Sequence, residues 1–199
     1  MIQVDPDLQA RTATASTAAA GVRAPWAERI PTARTLEKFV AEAQKAVRLR
    51  GQVSILLTTD KSIRRLNRDF RGKNKATDVL SFPAEAGFVG ELIAGDLAIS
   101  AETALKQARE QGHALTCELK ILLLHGLLHL AGYDHEVDEG QMARRERTLR
   151  QKLRLPLGLI ERAQDKPSSG TSARKPAAAK SVVTKSKPRK TAPSRKAPR

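Results

Sequence analysis

Apolar residues at Leu36, Phe39, Val40, Ala43 and Val47 recur three and four positions apart, which predicts a helix from Thr35 to Leu49. The following run QVSILLTT (52–59) is β-branched, apolar and of strand length, and MIQVDP at the start suits a short first strand. Asp60 offers an N-cap oxygen for a helix through Phe70, with Ile63, Leu66 and Phe70 on one face. VLSFP predicts a strand ended by Pro83, and ELIAGDLAIS (91–100) predicts another. Ser100 then caps a helix through Gln111, stopped by Gly112. From Leu115 to Ala131 the chain is apolar nearly all round, so this helix is central. A final Arg-rich amphipathic helix spans Asp138 to Leu153, ahead of Pro156. Short strands and helices interleave without internal repeats. The pattern predicts an α+β fold: a small mixed sheet of about four strands, covered by helices around one central apolar helix.

Composition adds extensions to that single domain. The 199 residues carry a formal net charge of +15, unevenly placed. From Asp165 to Arg199 eleven Lys and Arg oppose Asp165 alone, giving +10. From Met1 to Thr32 three basic residues balance three acidic ones, which leaves +5 for residues 33–164. The division is therefore 1–32, a first strand plus a flexible insertion; 33–164, the folded domain; and 165–199, a Lys/Arg/Pro/Ala-rich tail. The tail has too few large apolar residues to offset its ordering entropy, so it is expected to be disordered and to attract polyanions. Cys117 is the single cysteine, so no intrachain disulfide forms and a reducing compartment fits. No basic-then-apolar leader opens the chain, and ILLLHGLLHLAG is too short to span a bilayer. The expectation is a cytoplasmic protein without a membrane partner.

The chemistry concentrates in HGLLHLAGYDH (125–135), which holds three of the four histidines. His125 and His129 lie four apart on the central helix, so both imidazoles reach one point. Gly132 ends the helix, and the reversal through Tyr133 and Asp134 returns His135 toward that point. Three nitrogen ligands with an open fourth position form the pattern of a catalytic zinc, one per chain. In a zinc protease the residue after the first histidine is a glutamate base, and here it is Gly126. Peptidase chemistry loses most of its weight accordingly, whereas a phosphodiester needs charge neutralised on oxygen. Arg71, Lys73 and Lys75 form a cationic loop suited to that task, Arg71 being the better fork for phosphate. Asp134 is either a partner orienting a histidine or a turn residue. His113, alone beside Gly112, reads as a helix-start residue.

These motifs together resemble those of the bacterial YbeY endoribonucleases. HGLLHLAGYDH is similar to that family's histidine signature, FRGKNKATDVLSFP (70–83) to its loop and strand, and GDLAIS (95–100) to the strand that follows. The likeness covers roughly residues 33–158. It implies a single-strand-specific, zinc-dependent endoribonuclease acting in maturation of the 3′ end of small-subunit (16S) ribosomal RNA and in ribosome quality control. It also implies that His125, His129 and His135 are the metal ligands and that Arg71 is the functional arginine of the cleft. The partners implied are single-stranded RNA, ribosomal RNA and the small subunit. Phe70, Asn74 and Ala76 stand where the family has Tyr, Asp and Pro, so a role for the tyrosine hydroxyl does not carry over. With aromatic residues at 3% of the chain, stacking platforms are scarce, and RNA contacts are expected to run through Arg71, Lys73 and Lys75 to the backbone. The rival readings are a zinc metalloprotease-like hydrolase and a non-catalytic ribosome-associated zinc module.

Overall fold

A computed structural model describes residues 1–10, 30–84 and 93–156. The expected flexible insertion after the first strand falls mostly outside these residues, and the basic tail entirely so. Four strands form one sheet: β1 (Ile2–Val4), β2 (Gln52–Thr58), β3 (Val79–Pro83) and β4 (Ile93–Ser100). Their order is β1-β2-β4-β3, with β1 and β4 parallel to β2 and β3 antiparallel to β4. The mixed four-stranded sheet is the one the sequence predicts. Five helices are labelled: α1 (Ala33–Val47), α2 (Asp60–Arg71), α3 (Ala101–Glu110), α4 (Leu115–Leu130) and α5 (Gln141–Lys152).

Alternation along the strands divides the helices between two faces. Val53, Ile55 and Leu57 of β2, with Leu97 and Ile99 of β4, pack against α1, α3, α4 and α5 in the main core. The opposite face carries a smaller cluster in which Ile63 of α2 meets Leu80 and Ala98. Helix α4 lies inside the main core. Six of its leucines (Leu119, Leu122, Leu123, Leu124, Leu127 and Leu128) are wholly buried, each contributing about 2 kcal/mol of transfer free energy. That burial fixes where the histidines on its last turns can point. Among the described residues no helix is long and apolar enough to cross a membrane.

Several boundaries differ from the sequence reading for local reasons. Helix α1 starts two residues early because the Thr32 hydroxyl caps it, accepting from Thr35 N at 3.3 Å. Thr59, rather than Asp60, caps α2, accepting from Ser62 N at 3.3 Å. Asp60 is the first helical residue, and its carboxylate accepts from Thr103 Oγ1 at 2.7 Å and from the Ser100 hydroxyl. It thereby ties the start of α2 to the start of α3. Phe70 does not share the buried face expected for it. It is 67% exposed, bordering an open apolar groove over the sheet with Leu56, Leu66 and Ala98, and its ring packs edge-on to that of Phe82 with centroids 5.2 Å apart. Helix α5 begins at Gln141 instead of Asp138. Asp138 serves as a cap from outside the helix, accepting from Gly140 N and Met142 N at 2.7 Å each.

Candidate metal centre and phosphate cleft

Two imidazoles meet at the C-terminal end of α4. His125 Nε2 and His129 Nε2 are 3.1 Å apart, close to the spacing of about 3.3 Å between two nitrogens on one tetrahedral ion at about 2.0–2.1 Å. Beyond α4 the chain reverses at Gly132, whose φ of 89° a side chain would strain. Tyr133 N closes the turn onto Leu128 O at 3.1 Å. Asp134 shapes the next turn: its carboxylate accepts from Glu136 N at 3.0 Å, and its carbonyl accepts from Asp138 N at 3.0 Å. This double reversal brings His135 back. One ligand atom from each of His125, His129 and His135 lies within 4.8 Å of the others. The three residues singled out in the sequence are thus gathered at one point, and the cluster can hold a metal ion.

The surroundings of His125 and His129 favour ligation of a metal. His125 Nδ1 lies 3.0 Å from Glu146 Oε2, and Arg150 Nε donates to Glu146 Oε1 at 2.8 Å. All three residues are buried. A carboxylate at Nδ1 draws the ring proton there and leaves the Nε2 lone pair facing the shared point. Burial, joined by the neighbouring His125 and His135 rings, pushes His129 down to about 4, opposed by Asp134 and the Tyr133 backbone. A neutral imidazole is the form that ligates.

Glu146 and Arg150 escaped the sequence reading, which took α5 only as an amphipathic, Arg-rich helix. A signal was present: Met142 and Leu149 mark the buried stripe, and Glu146, four past Met142, falls on it. Asp134 sits in the turn where sequence placed it. His113 lies outside the cluster and pairs with the wholly buried Glu118, Nε2 to Oε2 2.5 Å.

Gly126 has a packing explanation. A Cβ built there would stand 2.7 Å from Leu97 Cδ2, so position 126 faces β4 and the sheet. A side chain at this point would have to displace the buried Leu97 side chain, and a glutamate would be driven into the core.

The imidazoles open into a cleft of about 500 Å³ whose lining includes Arg71, Lys73 and Lys75. Arg71 closes the last turn of α2, and its Nη2 donates to Ser81 O at 3.0 Å, binding the helix end to β3. Lys73 and Lys75 follow on the exposed loop into β3. Asp78 lines the cleft as well, but its oxygens are engaged. Oδ1 accepts from Val79 N at 2.8 Å and Oδ2 from Gln107 Nε2 at 2.8 Å. The structure therefore brings all seven residues named from sequence, the three histidines, Asp134 and the three cations, to one cleft.

A family model described as endoribonuclease YbeY matches residues 26–154. Endoribonuclease YbeY of Koribacter versatilis (strain Ellin345) is 53% identical over 142 residues, which cover 71% of this chain and 90% of that protein. The protein of the same name from Solibacter usitatus (strain Ellin6076) is 52% identical over 142 residues, covering 71% and 91%. That of Helicobacter pylori (strain ATCC 700392 / 26695) is 45% identical over 113 residues, covering 57% and 79%. The matched length and identity are decisive, and the chain belongs to the endoribonuclease YbeY family.

Proposed function

We propose that this protein is a zinc-dependent endoribonuclease that cuts single-stranded RNA, with His125, His129 and His135 as ligands and Arg71 as the catalytic cation. The observation that carries this reading is the meeting, in one cleft, of a three-imidazole cluster with Arg71, Lys73 and Lys75. Zinc held there would supply a Lewis acid able to activate water near neutral pH. The chain's own residues do the rest. Glu146 keeps His125 in its ligating tautomer, and the Ser81 carbonyl anchors Arg71. A guanidinium fork can hold two phosphate oxygens and oppose the charge that builds on them. Lys73 and Lys75 meet the flanking backbone as point charges, which favours weak sequence preference and steep salt dependence.

Residues 33–164 form the catalytic domain in this reading, and residues 165–199 form a basic tail that adds affinity for RNA. Ribosomal RNA of the small subunit is the proposed substrate, with maturation of its 3′ end and ribosome quality control as the setting. The family membership and the three sequence motifs support this assignment. Digestion of matched single-stranded and duplex RNA, with and without a chelator, tests the activity. The single strand alone should be cut, and chelation should stop the reaction until zinc is restored. Cleavage indifferent to chelation would contradict the reading.

A further inference from the structure

The loop that carries Lys73 and Lys75 buries little surface and is held by hydrogen bonds. Residues 72–75 are exposed, and Ala76 is the residue of this segment that packs, in part, against the small cluster of Ile63, Leu80 and Ala98. Beneath the loop lies Asn67 of α2, a polar side chain only 3% exposed that also lines the cleft. It grips the loop twice. Its backbone carbonyl accepts from Lys73 N at 3.2 Å, and its side-chain Nδ2 donates to Lys75 O at 2.8 Å. At the outer edge Arg64 Nε donates to Asn74 Oδ1 at 2.9 Å, an exposed hydrogen bond that steadies the same loop. Arg71 stands apart from this arrangement, since it belongs to the helix and has its own anchor on Ser81 O at 3.0 Å.

We propose that Asn67 is the positioning residue for the phosphate-binding lysines. It fixes the backbone on either side of Asn74 so that Lys73 and Lys75 face the RNA strand before it arrives. The inference rests on the reading of this cleft as an RNA site and assigns the division of labour within it. A loop ordered in advance does not lose that freedom on binding, so removal of the clamp weakens binding. Chemistry at Arg71 and the imidazoles, held by separate interactions, is spared.

The test uses the full chain supplied with zinc and an unstructured single-stranded RNA. Asn67→Ala should raise KM about fivefold to tenfold, the scale for ordering one or two side chains on binding, with kcat near that of the unaltered protein. The plot of log affinity against log salt should flatten by about 0.7 for each phosphate that the lysines no longer neutralise. Asn74→Ala, an exposed change that spares the core, should move both quantities the same way by less. If Asn67 served stability alone, Asn67→Ala would lower the melting temperature and leave KM and the salt slope unchanged, and that result overturns the proposal. So does a fall in kcat at constant KM. Lys73→Ala/Lys75→Ala controls for the underlying reading: an unchanged slope there removes the rim as a phosphate site and the proposal with it. A flattened slope there beside an unaffected Asn67→Ala keeps the rim and removes Asn67.

Discussion

Glu146 divides its two oxygens between His125 Nδ1 at 3.0 Å and Arg150 Nε at 2.8 Å, so one side chain joins the metal site to the core. Glu146→Ala should cut zinc affinity about 10- to 100-fold, the usual effect of losing a carboxylate behind a ligating histidine. It should also cost about 1.5–3 kcal/mol of stability, because Arg150 loses a buried charge-assisted hydrogen bond. Competition against a chelating dye and chemical denaturation read the two effects separately. Arg71→Ala should behave differently. As an exposed residue outside the ligand set it should leave zinc and fold intact while losing about 10²–10³ in cleavage rate, the scale for one preorganised transition-state interaction. Arg71→Lys should recover only part of the loss, since a point charge cannot fork. The histidines were legible in the sequence because helix spacing and a glycine stop are local signals. The service of Glu146 to His125 depends on how α5 docks onto α4, which no local pattern encodes.

Elements were legible where apolar period and packing agree. The five residues that predict α1, from Leu36 to Val47, are the five that its packing buries. Prediction slipped where a side chain answers to a distant partner. Asp60 is a good N-cap by type, yet its carboxylate is taken by Ser100 and Thr103 across a gap of 40 residues or more. Phe70 keeps the helical period of Ile63 and Leu66 but borders an open groove over the sheet, where its ring stays exposed. The edge strand β1 adds a pH dependence. Asp5 follows it, giving its N–H to Leu57 O at 2.9 Å and accepting the Thr58 hydroxyl at 2.5 Å. Burial raises the Asp5 pKa, but the Thr58 hydroxyl, the Asp7 N–H and further partners outweigh it and hold the group below its ordinary value. A carboxylate depressed in the fold stabilises it above the unfolded pKa, near 3.8, and loses that contribution as pH falls through the folded value. Asp5→Asn should therefore narrow the gap in denaturation midpoint between pH 6 and pH 3 relative to the unaltered protein. An equal gap in both proteins would show that Asp5 contributes nothing to the acid response.

Across the whole molecule, charge is distributed by region. The segment from Asp165 to Arg199 carries +10 of the total +15, while the histidines and Arg71 lie in the domain that precedes it. A chain ending at Gln164 should melt with the cooperativity of the full protein and cleave at a similar rate when RNA is saturating. Its affinity should depend less steeply on salt, because fewer counterions are released. Loss of cooperative melting in the shortened chain would show that the tail belongs to the fold. The charge of this segment is read from composition alone, and its role as a polyanion-seeking tail is the proposal that the shortened chain tests.

RNA cleavage is proposed to depend on zinc held by the three imidazoles of His125, His129 and His135. Zinc content and single-turnover cleavage of single-stranded RNA, measured on one preparation of His129→Ala, test it most directly. The unaltered protein should carry one zinc per chain and cut the strand. His129→Ala should melt cooperatively yet lose the metal and the cleavage together, because two imidazoles cannot retain the ion against a chelator. Full zinc occupancy with cleavage at the unaltered rate would contradict the account.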